Sequence, residues 1–131
     1  MKKKIILTIA FLISLLPMLL NQYGGMKGVQ EISGLINLFN PIGIISVLLF
    51  IIGVWVSLKN KKINKILGAL GTIGIVISEM YKFFTWHIMI ITGKMSIHNS
   101  IEFAFPEFYI ELVTSLIMIF AYFFIDKIVK E

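Results

Sequence analysis

Four predominantly apolar runs, residues 5–23, 41–58, 66–86 and 106–125, follow one another, joined by residues 24–40, 59–65 and 87–105. Crossing about 30 Å of hydrocarbon takes roughly 20 apolar residues in a helix. The first run has sixteen apolar-dominated residues, 5–20, which reach about 24 Å at 1.5 Å per residue. Extension through Tyr23 brings it close to membrane thickness. A chain of 131 residues patterned this way has room for one domain, residues 1–131, and the bilayer is its natural solvent. Hydrophobic residues make up 58%, charged residues 15%, and the mean hydropathy is +0.94. Ordinary soluble domains are nearer half apolar and a quarter charged.

The lysines orient the runs. Lys2, Lys3, Lys4, Lys59, Lys61, Lys62, Lys65, Lys127 and Lys130 fall on one side if both termini are cytoplasmic; Lys27, Lys82 and Lys94 fall on the other. That asymmetry satisfies the positive-inside rule. The expected architecture is therefore an all-α membrane protein: a transmembrane bundle of four helices with both termini inside. A multi-pass protein of a bacterial cytoplasmic membrane fits the isoleucine- and lysine-rich composition. The basic start also resembles a secretory signal, but 21–25 reads Asn-Gln-Tyr-Gly-Gly and lacks a small-x-small cleavage site, so the first span is expected to be retained.

Pro17 deprives the carbonyl of Ile13 of its helical partner, and a modest kink is expected there. Between the first two spans, residues 29–39 place Val29, Ile32, Leu35, Ile36 and Phe39 on one helical face. Eleven residues cannot span, so a short extracytoplasmic amphipathic helix is expected on the membrane surface, or a lid over a site. Asn40-Pro41 supplies a helix cap and a first-turn proline. Gly53 with Ser57, and the series Gly68, Gly71 and Gly74, are surfaces on which a neighbouring helix can seat, within the bundle or across a dimer. Whether residues 87–92 extend the third span is open.

Glu79 and Lys82 interrupt the third run, and Glu111 the fourth. Counted from residue 66, Glu79 lies about 20 Å along the helix axis, some 10 Å below the outer boundary. Glu111 lies about 7 Å below the same boundary, counted from residue 106. Charges at comparable depth on antiparallel neighbours are expected to meet, with Lys82 between the two carboxylates. On the fourth run Glu107, Glu111, Ser115, Met118 and Tyr122 form the one polar stripe, expected to face inward. Glu79, Lys82, Glu111 and Glu107 are the candidate ion- or substrate-binding residues. His98 and Glu102, four apart, with His87 are weaker candidates for a divalent metal.

Several classes are excluded or disfavoured. There is no cysteine, hence no disulfide, thiolate metal site or redox pair. Arginine is absent too, which disfavours nucleic acid. No G-x-S-x-G or H-E-x-x-H motif occurs, and the lone aspartate, Asp126, is expected across the bilayer from both histidines. No cofactor is expected. The first functional expectation is a non-enzymatic accessory subunit, immunity-type or partner-binding, working through helix contacts and its outer surface on a larger membrane protein, an external peptide or a lipid. The second is a homo-oligomeric ion- or proton-coupled transporter or channel using Glu79, Lys82 and Glu111. The third is a holin-like permeabilising protein.

Overall fold

The computed structural model of the chain describes residues 1–24, 31–87 and 97–129, apart from the side chains of His87 and Asn99. Among these residues five α-helices carry the architecture: α1 Lys2–Leu15, α2 Pro41–Trp55, α3 Lys61–His87, α4 Ile97–Glu102 and α5 Pro106–Ile128. A two-stranded ribbon, β1 Asn21–Tyr23 and β2 Ile32–Ser33, closes one end. Residues 88–92, the possible extension of the third run, lie outside the described residues.

Pro17 ends α1 rather than kinking it. The α-helix stops at Leu15 and tightens into a 3-10 turn, Leu16–Leu19. The N–H of Leu16 bonds the carbonyl of Ile13, the acceptor that proline cannot serve, and the chain leaves in extended conformation at Leu20. Helix and turn together reach about 29 Å.

The amphipathic helix expected over 29–39 does not form across its described part. The chain there is β2 followed by a 3-10 turn, Gly34–Asn37. β1 captures this backbone: it pairs with β2 antiparallel, and Gly34 N–H bonds Leu20 O at 2.9 Å. Gly34 disfavours a helix and also seats the Gln22 side chain, whose Cδ would lie 2.3 Å from an added Cβ. A third extended segment joins through Gly24 N–H to Phe103 O at 3.0 Å and Phe105 N–H to Gln22 O at 2.8 Å.

Asn40 caps α2 by accepting from Gly43 N–H at 3.1 Å, with Pro41 in the first turn. The helix ends at Trp55, short of 58, because Asn64 gathers its last carbonyls: Nδ2 donates to Gly53 O at 3.2 Å and Val56 O at 2.5 Å. α3 starts at Lys61, five residues ahead of the expected boundary. Asn60 Oδ1 accepts from Lys62 N–H there, at 2.9 Å. α3 has 27 residues and α5 has 23, or about 40 and 34 Å. Lys61–Trp86 and Pro106–Ile128 are each long and apolar enough to cross a membrane, while α2 is a shorter apolar helix.

α3 packs against α2 and α5, and α1 packs against α5. Gly68, Gly71 and Gly74 do seat a neighbour, and it lies within the chain. An added Cβ would fall 2.6 Å from Phe50 N at Gly71 and 2.1 Å from Ser46 Oγ at Gly74, both on α2. Gly53 meets Gly68 backbone to backbone. Two buried clusters result. One holds Leu7, Phe11, Phe50, Val54, Met118 and Tyr122, with the Phe11 and Phe50 rings stacked at 4.0 Å. The other, at the ribbon end, holds Tyr23, Phe83, Trp86, Phe103 and Phe108.

Candidate functional site

Along α3 and α5 the two apolar clusters are separated by polar residues, and this layer is the best-formed candidate site. On α3, Ser78 and Glu79 fall between Ile75 of one cluster and Phe83 of the other. On α5, Glu111 and Ser115 fall between Phe108 and Met118. Spacing of four puts Glu111 and Ser115 on one helical face, and the buried face of α5 runs Phe108, Glu111, Ser115, Met118, Tyr122 and Ile125. The polar stripe points inward, with Phe108 rather than Glu107 at its head. Glu79 and Glu111 are each 0% exposed.

Ser115 joins them. Its Oγ lies 2.5 Å from Glu79 Oε1 and 3.0 Å from Glu111 Oε1. Thr114 Oγ1 lies 3.5 Å from Glu111 Oε2, with Glu111 O at 2.9 Å and Ser14 O of α1 at 3.0 Å as alternative acceptors for its hydrogen. Glu79 Oε2 is buried without a hydrogen-bond partner among the described residues.

Lys82 does not complete the pair. Among the described residues it forms no ion pair with Glu79 or Glu111. It is half-buried, and its Nζ lies 5.5 Å from the centre of the Tyr81 ring. Lys82 sits one turn further along α3 than Glu79, and the Ser115 hydroxyl of α5 lies between the carboxyls instead. Glu107 is half-buried in the first turn of α5, outside the layer, where it complements the helix dipole.

A second set of buried polar groups borders the pair on the ribbon side. Asn40 Nδ2 donates to Ser78 Oγ at 2.7 Å, and Ser78 Oγ donates to Asn37 O. Tyr23 O–H donates to Asn37 Oδ1 at 2.6 Å, and Asn37 Nδ2 donates to Gln22 Oε1 at 2.7 Å. Gln22, Tyr23, Asn37 and Ser78 are each 0% exposed. Tyr23 also lies against Trp86 and Phe108, at 5.2 and 5.5 Å between ring centres. Sequence reasoning ran the first span through Tyr23 and placed residues 29–39 in an amphipathic helix, and so missed this network. Its one legible signal was Ser78 beside Glu79 in an apolar run.

The metal candidates stay apart from the layer. α4 does bring His98 and Glu102 onto one face, with Nε2 to Oε2 at 3.5 Å, both exposed; the His87 side chain lies outside the described residues. Among the described residues no three His, Cys, Asp or Glu side chains converge. Comparison with protein-family models, with curated proteins and with solved structures finds no match to the chain. Chemically, the layer offers carboxyl and hydroxyl oxygens in a site closed to solvent. Such a set holds a proton or a small hard cation.

Proposed function

We propose that the chain is a non-enzymatic, multi-pass membrane protein of a bacterial cytoplasmic membrane, with α1, α2, α3 and α5 as its four spans and both termini inside. In this reading Glu79 and Glu111, bridged by Ser115, bind and release a proton. Support for the membrane setting comes from the inverted distribution of side chains. Ile9, Leu12 and Ile13 on α1, Ile45 and Leu48 on α2, Ile77 on α3, and Ile117 and Phe120 on α5 are all about half exposed or more. Water-soluble monomers rarely expose contiguous apolar surface on this scale. The ends are consistent: Lys3 and Lys65 meet Asp126, and Trp55 Nε1 donates to Thr8 Oγ1 at 2.8 Å, so the basic termini of these helices share one end.

The single observation that carries the functional reading is the Glu79–Ser115–Glu111 contact. A serine hydroxyl has one hydrogen and cannot donate to both carboxyls. Two ionised carboxylates in a low-dielectric site, with no lysine among the described residues paired to either, repel strongly. A proton on one carboxyl, donated to Ser115 Oγ while that hydroxyl donates to the other carboxylate, removes both difficulties. Ionisable groups within membrane helices commonly mark ion or proton pathways. Four short helices do not enclose a pathway alone, so transport in this form requires self-association.

The test is proton movement in vesicles carrying the purified protein and an internal pH dye. Proton flux or exchange is expected under an imposed gradient, and Glu79→Gln and Glu111→Gln should each abolish it with the helical content unchanged. Flux that persists at full rate in both variants refutes the reading. The accessory-subunit reading keeps one observation in its favour: Phe39, Ile97 and Ile101 stand 68, 64 and 56% exposed near the ribbon end. In-cell crosslinking followed by mass spectrometry separates the two, since a distinct membrane partner in fixed ratio favours the accessory role and a homo-oligomer favours transport.

A further inference from the structure

The opposite end of the molecule carries a second feature, independent of the carboxyl pair. A cavity of about 370 Å³ opens where α1 begins, α2 ends and α3 begins. Pockets for small ligands run from roughly 300 to 1,000 Å³. Its polar lining comes from Lys4, Ser57, Lys61 and Asn64, its apolar lining from Val54, Val56 and Leu58. Among the described residues no carboxylate lines it.

Among the described residues Asp126 lines the adjoining cavity of about 290 Å³, which Lys4 and Lys61 also border, and it is already engaged. Lys3 Nζ bonds Asp126 Oδ1, and Lys65 Nζ lies 3.4 Å from Asp126 Oδ2. Those two lysines hold its carboxyl below the usual aspartate range. Lys4 and Lys61 are different: among the described residues neither enters an ion pair. They converge on the same hollow from two helices, and Lys61 opens α3, where the positive end of a helix dipole lies. Two cations, a serine and an apolar wall next to the bilayer describe an anion with a hydrocarbon tail.

We infer that the cavity between Lys4 and Lys61 binds a phosphate-bearing anion, in the form of an anionic phospholipid headgroup from the cytoplasmic leaflet. Basic pockets between spans on that side commonly hold such headgroups. The phosphate sits between the two ammonium groups, Ser57 contributes a neutral polar contact, and the acyl chains follow Val54 and the exposed apolar face of α2. This inference rests on the membrane topology proposed above and not on the proton site.

The experiment is native mass spectrometry of the detergent-solubilised protein titrated with phosphatidylglycerol, with phosphatidylcholine and inorganic phosphate in parallel. A saturable one-to-one phosphatidylglycerol adduct, absent with phosphatidylcholine, is expected. Lysines near an anionic headgroup strengthen binding by about fivefold each, so Lys4→Gln with Lys61→Gln should weaken the adduct about 25-fold. Lys59→Gln with Lys62→Gln, which removes the same charge outside the cavity, should leave it within about twofold. All four side chains lie outside the buried core, and circular dichroism checks that the fold is kept. Displacement of the adduct by inorganic phosphate would assign the same site to free phosphate; resistance assigns it to lipid.

Equal losses in the two double variants, or no adduct at all, overturn the inference. Alkaline extraction of membranes distinguishes the failures. A chain released by that treatment refutes the topology, and the inference with it. A chain retained in the membrane that binds no phosphatidylglycerol refutes the headgroup site alone.

Discussion

Substituting alanine at Gly53 and, separately, at Gly74 tests how α2 and α3 are held together. At Gly53 the new Cβ would lie 2.2 Å from Gly68 N, 2.6 Å from Gly68 Cα and 2.7 Å from Asn64 O. All three are backbone atoms, so no side-chain rotation relieves the clash. Carbon contacts are comfortable at about 3.5 to 4.0 Å, so the helices must separate locally by more than about 1 Å or α2 must shift along its axis. Overpacking of this kind costs about 1–3 kcal/mol, and a backbone clash belongs at the upper end. Higher helix propensity returns up to about 1 kcal/mol, which leaves Gly53→Ala destabilised by about 2 kcal/mol. At Gly74 the closest atom is Ser46 Oγ, at 2.1 Å. That hydroxyl currently donates to Ile42 O and can rotate away, losing about 1 kcal/mol against a similar propensity gain. Gly74→Ala should therefore be near neutral. Equilibrium unfolding in mixed detergent micelles measures both. Gly53→Ala as stable as the parent, or Gly74→Ala the more damaging of the two, would refute the close-packed interface.

Three further expectations follow from the polar contacts. Ser115→Ala removes the hydroxyl shared by Glu79 and Glu111 and leaves Glu79 without its bond, which should cost about 2–3 kcal/mol in the same unfolding assay; Thr restores the hydroxyl and should recover part of the loss. Asn40→Ala loses both the α2 cap and the bond to Ser78, about 1 kcal/mol each, whereas Asp keeps the cap acceptor and should lose about half as much. Asp126 is held below its usual range by Lys3 and Lys65, so its contribution is present above the unfolded value, about 3.9, and fades as pH falls through the lower folded value. Asp126→Asn should accordingly show a small deficit at neutral pH that shrinks in strong acid and in high salt; a deficit that grows with acidification would contradict this.

Much of the helical layout was legible because apolar runs and prolines obey strong, one-dimensional constraints. Pro41 and Pro106 mark helix starts at the expected residues. The glycine series seats a helix as its spacing suggests, and Glu111, Ser115, Met118 and Tyr122 do share an inward face. What the pattern could not carry was competition between local and distant partners. Residues 31–39 have amphipathic spacing, yet Ile32 and Ser33 pair with β1, and strands of three and two residues are too short to show the alternation that would reveal a ribbon. Lys82 is the nearest cation to Glu79 in sequence, but its ammonium lies over the Tyr81 ring and a compact serine from α5 lies between the carboxyls. Asn64 shortens α2 from across the turn, through carbonyl contacts that leave no mark in hydropathy. The candidate site was therefore half visible: its two carboxylates by their rarity in apolar runs, its serine bridge and asparagine border only once the helices were packed.

The proton shared between Glu79 and Glu111 is the central claim, and infrared difference spectroscopy of the reconstituted protein addresses it directly. At neutral pH a carbonyl stretch of a protonated, buried carboxyl is expected; Glu79→Gln and Glu111→Gln should each remove or shift it, and exchange into heavy water should move it to lower frequency. A spectrum with both carboxylates ionised at neutral pH, or a protonated band indifferent to either substitution, would contradict the account.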